Sequence, residues 1–201
     1  MIGAGRWNGA YYYSKELVEN IIPKVKTDRD WVTIHMPGMC VDRAIYFVHN
    51  NNSQAMYAGL MMYDDLILVC GVPETCKKIS RYGRAVYLPL SVDVEYVRQF
   101  KRRKTRGTAY VGRAGKRRNL SFAPDVDFLE GMPRDELLEE MSRYRQVYAV
   151  GRCAIEAKVL GCEVLPYDQR YPDPSLWKVM DNSEAAVILQ GLLDEIDGGE
   201  V

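Results

Sequence analysis

Short apolar runs rich in β-branched residues alternate along the chain with stretches in which apolar positions return every three to four residues. That alternation predicts an α/β protein with mainly parallel strands rather than a sandwich. In the first half, WVTIHM (31–36), AIYFVHN (44–50), DLILVCG (65–71) and AVYLPLS (85–91) have the length and composition of buried strands. Helices are expected over 14–22, 53–62 and 73–82, the last opening on Pro73 with Glu74 in its first turn.

The second half repeats the scheme. Strands are expected at 108–113, 126–131, 146–151 and 162–167. Leu137, Leu138 and Met141 give PRDELLEEMSRY an amphipathic helical spacing, and Asp181 with Glu184 starts a final helix in capping-box spacing. The expected organisation is an α/β lobe over 1–97 and a second over 98–201, which includes the closing C-terminal helix. A ligand cleft is expected between them, outside the carboxyl ends of the strands.

Composition removes several classes of function. Five cysteines form no CxxC pair and there are only two histidines, so zinc, disulfide and histidine-rich metal sites are not expected. No apolar run is long enough to span a bilayer, and MIGAGRWNGAYYY lacks the basic-then-apolar order of a signal peptide, so a cytoplasmic protein is expected. Charge sharpens the picture. Net charge is zero, yet residues 98–118 carry ten Lys or Arg and no acid, leaving 17 basic against 27 acidic residues elsewhere. Such a block reads as a patch for phosphates, nucleic acid or another anionic surface, or as a solvated linker.

The stretch YAVGRCAIEAKVLGCEVL (148–165) carries the most chemistry. It reads as a glycine-bearing loop, a helix of about two turns, a glycine stop and a further strand. The start of such a helix offers backbone amides to an anion, here those of Gly151, Arg152, Cys153 and Ala154. One turn in, Glu156 offers a carboxylate, a good acceptor for a diol. Together they suggest a nucleotide, although an early-helix glutamate also simply complements the helix dipole.

In order and spacing, VYLPLSVDVEYV, AYVGRAGKRRN, VDFLEGMPRDELLEEMSRY and GRCAIEAKVLGCEVL resemble motifs of the large retaining family of GT-B-fold nucleotide-sugar glycosyltransferases, and YDDLILVCGVPETCKKI adds to the likeness. The resemblance covers roughly residues 44–166. It implies two Rossmann-type lobes, the N-terminal one truncated, and transfer of a sugar from a nucleotide-diphosphate donor without a metal or other cofactor. It places Arg113 and Lys116, with Arg117 as a substitute, on the donor diphosphate, and Glu156 on the ribose. The resemblance puts a histidine or an acid at the place of His49, facing the sugar or acceptor, and His35, which ends another strand, stands beside it as a candidate for a catalytic role. Gly5 and Arg6 in the glycine-rich N-terminal stretch fall on the sugar and acceptor side, as does Tyr148. Tyr148 stands where the family has the first of two glutamates, and Leu90 and Ser91 replace an Asn-Gly pair. Asp93 matches a junction aspartate expected to be structural.

The acceptor is open, and the 98–118 segment keeps nucleic acid among the candidates. A homodimer could complete the short first lobe. Two other readings stand beside the enzyme: a non-catalytic protein that binds or sequesters nucleotides, and a nucleic-acid-binding protein whose likeness to glycosyltransferases is vestigial.

Overall fold

A computed structural model describes residues 9–33, 41–48, 59–112 and 126–198. The chain forms two compact units, one built on Ala10–Leu90 with Asn182–Val201, the other on Ser91–Asp181. The sequence reading divides the chain at 97/98 and keeps the final helix with the second half. The reason for the difference lies in what that helix buries.

The first unit holds four parallel strands, β1 (Asp30–Val32), β2 (Ala44–Val48), β3 (Ile67–Cys70) and β4 (Arg84–Tyr87), lying side by side in chain order. Tyr46 stands opposite Val32 on one side and Leu68 on the other. Every residue of β2 and β3 is buried, as expected for parallel strands covered on both faces. The helix α1 (Gly9–Glu16) runs on through a π-turn at Leu17–Ile21 and a 3-10 turn at Ile22–Lys24, where the predicted helix over 14–22 meets Pro23. Pro73 opens α2 (Pro73–Ile79), which packs against β3 and β4. Of the helix expected over 53–62, only the 3-10 turn Gly59–Met62 lies among the described residues.

In the second unit, α3 (Val94–Arg98) is a single short helix absent from the sequence reading. Asp93 caps it by accepting the Tyr96 N–H at 2.9 Å, a structural role. The sheet comprises β5 (Arg106–Val111), β6 (Asp127–Leu129), β7 (Tyr144–Tyr148) and β8 (Glu163–Leu165), all parallel, in the order β6-β5-β7-β8. From β6 the chain returns through α4 (Arg134–Met141) to β7, then advances through α5 (Arg152–Val159) to β8. The two helices pack as neighbours. At the amino end of the sheet, the Tyr144 hydroxyl donates to Asp127 at 2.9 Å and accepts from Arg106 at 2.8 Å. Lys104 donates to the Ser142 and Leu160 carbonyls at 2.7 and 3.0 Å.

The C-terminal helix α6 (Asn182–Gly198) packs on the π-turn of the first unit and buries Ala185, Ala186, Leu189 and Leu193. Asn182 donates to the buried Glu16 carboxylate at 3.1 Å. Near its other end Asp197 accepts from Arg29, whose side chain is 2% exposed and also meets Asp65 at 2.8 Å. Burial of the leucine side chains stabilises this placement by roughly 2 kcal/mol each.

The chain is therefore an α/β protein whose described residues form two parallel four-stranded sheets of Rossmann-like character. No helix among the described residues is long and apolar enough to cross a membrane.

Candidate nucleotide site

The two sheets differ in one respect that matters for ligands. In the first, the described strands follow chain order without reversal. In the second, the connection from β5 leads outward to β6, whereas the connection from β7 leads the other way to β8. The direction of winding thus reverses between β5 and β7. At such a point adjacent loops part at the carboxyl ends of the strands and leave a crevice. The exits that face it are Gly112 after β5 and the Ala149–Gly151 turn after β7.

Both exits are built around glycine for identifiable reasons. A side chain at Gly112 would place its Cβ 2.7 Å from Cζ of Tyr110, whose ring is fully buried and cannot yield. Gly151 has φ 64° and ψ −139°, a backbone conformation closed to residues with a side chain, and it turns the chain directly into α5. Tyr110 also packs edge-on against Tyr167, which follows β8, with ring centroids 5.2 Å apart.

Of the predicted site residues, Tyr148, Gly151, Arg152, Cys153, Ala154 and Glu156 all fall on the β7 exit and the first turns of α5. Tyr148 ends β7, half-buried, in register with Tyr110 and Leu165. The set of anion-facing amides is smaller than the sequence suggests, because the Ala154 N–H already bonds the Gly151 carbonyl at 3.1 Å. The Ile155 N–H meets the same carbonyl at 3.2 Å.

Glu156 is buried, its side chain 6% exposed. Helical side chains lean toward the amino terminus of their helix, so its carboxylate lies over the turn that begins α5. There Oε1 accepts from Nη2 of Arg134 at 3.0 Å and from Nη2 of Arg152 at 3.2 Å. Both described hydrogen bonds to the carboxylate fall on this one oxygen. Arg134 is the first residue of α4 and comes from the neighbouring crossover, with its guanidinium carbon 5.5 Å from the centre of the Tyr96 ring on α3. Tyr96 in turn donates its hydroxyl to Asp135. Sequence reasoning missed Arg134. The one signal for it is its position at the start of a helix that follows a strand, and that does not reveal a partner 22 residues away.

Part of the basic segment meets acids that the run itself does not show. Within its described part, Arg98 pairs with Glu95, Arg102 with Glu139 at 3.4 Å, and Arg106 with Glu140 at 2.6 Å. The acids come mostly from α4, which is distant in sequence and supplies the charge that the run itself lacks. Arg113, Lys116 and Arg117 lie outside the described residues, as do His35, His49, Gly5 and Arg6. Among the described residues, no three His, Cys, Asp or Glu side chains converge to hold a metal ion. Among the described residues Cys70, Cys76, Cys153 and Cys162 form no disulfide, and burial pushes Cys162 above the ordinary thiol range despite Lys104 3.0 Å away.

No family model matches the sequence, and no curated protein matches it significantly. What stands on the fold and the site is a Rossmann-like α/β protein. A carboxylate and two guanidiniums gather at the helix start beside its winding reversal.

Proposed function

We propose that the Ser91–Asp181 unit binds a nucleotide-diphosphate sugar and that the protein is a GT-B-like glycosyltransferase with a reduced N-terminal lobe. The observation that carries this reading is the placement of Glu156 and the start of α5 beside the winding reversal between β5 and β7. A helix start attracts phosphate, and a carboxylate one turn further along lies within reach of the hydroxyls of the attached ribose. The reading assigns the diphosphate to Arg113 and Lys116, which follow β5 in the sequence, together with the Arg152 and Cys153 amides. Fixed cations there would offset the charge that builds on the diphosphate as the sugar departs, the task a metal performs in other transferases. His49 and His35 remain the candidates for the acceptor side.

The test is thermal-shift binding of a panel of nucleotide-diphosphate sugars to the wild type and to Glu156→Gln. A donor at a hundredfold excess over its dissociation constant should stabilise the wild type by roughly 2.7 kcal/mol. Glu156→Gln should lose most of that gain. A wild type indifferent to the whole panel would refute the reading.

Tyr148 favours one second reading, a nucleotide-binding protein without transferase activity, because it replaces an acid that the resemblance places next to the sugar. Release of sugar or nucleotide from a bound donor over time separates the two. Turnover supports the enzyme, and tight binding without turnover supports the sequestering protein.

A further inference from the structure

We propose that Arg134 is a positioning residue that makes the site selective for ribonucleotides, by fixing which oxygen of Glu156 faces the sugar. The inference rests on the nucleotide-binding reading above. Its basis is the asymmetry of the Glu156 carboxylate. A carboxylate oxygen has two lone pairs, and those of Oε1 are taken by Arg134 at 3.0 Å and Arg152 at 3.2 Å. Oε2 takes none of the described hydrogen bonds. Rotation about the last side-chain torsion of a glutamate is soft, so a single partner would leave the two oxygens free to exchange roles. Two guanidiniums from different helices, arriving on one oxygen, stop that rotation.

The arrangement is supported from behind. Arg134 lies over the face of Tyr96, and the hydroxyl of Tyr96 is tied to Asp135, the residue after Arg134 on α4. Arg152 is on the same helix as Glu156, one turn earlier, so it moves with the carboxylate. Arg134 is the partner that anchors the carboxylate to a separate element. It also holds the buried site at a net positive charge of one, so the carboxylate does not repel the phosphates attached to the ribose.

A fixed oxygen that accepts from a hydroxyl rejects an analogue lacking that hydroxyl, because the acceptor is then left unsatisfied. The consequence is a preference for a ribose over a 2′-deoxyribose that depends on Arg134 although Arg134 does not touch the sugar.

The experiment compares the affinities of UDP, GDP and ADP with those of their 2′-deoxy counterparts, by titration calorimetry, for the wild type, Arg134→Ala and Arg134→Lys. The wild type should favour the ribonucleotide of its preferred base by about tenfold. Arg134→Ala should lower that ratio at least threefold, and Arg134→Lys, which keeps the charge but loses the planar fork and the stacking on Tyr96, should fall between Arg134→Ala and the wild type. Circular dichroism identifies a variant that has failed to fold; if Arg134→Ala does so, Tyr96→Leu, which removes the ring beneath Arg134, must lower the ratio instead. Equal weakening of both sugars, with the ratio intact, overturns the role of Arg134 while leaving the nucleotide site standing. Binding without any ribose preference in the wild type does the same. Failure of every nucleotide to bind overturns the underlying reading and this inference with it.

Discussion

Tyr167 shows how one hydroxyl couples the fold to pH. It is buried, and its phenol sits well above its ordinary value, first because burial disfavours the phenolate and then because Tyr110 lies beside it. The native state keeps this proton where the unfolded chain, from about pH 10, releases it. Native protein then binds more protons than unfolded, so the contribution to stability is complete below pH 10 and falls as pH rises, by up to about 1.4 kcal/mol per pH unit. Tyr167→Phe removes the ionisable group. Its cost at pH 8, about 1 kcal/mol for the lost hydrogen bond with Tyr110, should shrink by about 1 kcal/mol by pH 11 in urea unfolding. A cost independent of pH would show that the hydroxyl is not protected. Single residues were also where the sequence was most uneven as a guide. Glu156 was legible because a carboxylate one turn into a helix is a local pattern. Arg134 was not, because its meaning comes from a partner on another crossover, which periodicity along the chain does not encode.

Among elements, α5 is the one whose two ends can be separated experimentally. At its carboxyl end Gly161 has φ 77°, and the Cys162 N–H reaches the Ala157 carbonyl at 2.8 Å while the Gly161 N–H reaches Lys158 at 2.9 Å. This is the left-handed glycine closure that satisfies the last carbonyls of a helix. At the amino end, Gly151 turns the chain out of β7 and into α5 beside the winding reversal. Gly151→Ala and Gly161→Ala should each destabilise by about 1–2 kcal/mol, since both force a side chain into positive φ. Only Gly151→Ala should also weaken the proposed nucleotide binding, beyond what the stability loss explains, when the two are titrated under conditions where both are folded. All eight described strands were foreseen, each from a short apolar run bounded by turn residues, although their ends shifted by a few residues because hydrogen-bond pairing, not hydrophobicity, ends a strand. The helix α3 was not foreseen. Five residues make barely more than one turn, too few to show a period, and Asp93 as its cap is the only local sign.

At the scale of the whole molecule, what the sequence could not reveal was long-range partnership. The basic run at 98–118 stood out because no acid lies within it, yet α4 brings Glu139 and Glu140 to its described part. The same limit applied to α6. Its start was readable from the spacing of Asp181 and Glu184, but which unit it would cover was not, and adjacency in sequence pointed to the other half. Chain order places α6 after β8, whereas its buried face, Ala185, Ala186, Leu189 and Leu193, belongs to the unit of β1–β4. There the segment Leu17–Ile21 packs against it, with Leu17 and Ile21 fully buried. Leu189→Ala opens a cavity at a site with no exposure, where collapse is limited on one side by helix and on the other by a turn. It should cost about 2–5 kcal/mol. The loss should appear locally, because cooperative units open with their own free energies. Amide hydrogen exchange should therefore speed up in β1–β4 and in the segment 12–25, while the amides of β5–β8 keep their wild-type protection. Faster exchange confined to β5–β8 would show that the last helix stabilises the Ser91–Asp181 unit instead, and the division of the chain would have to be redrawn.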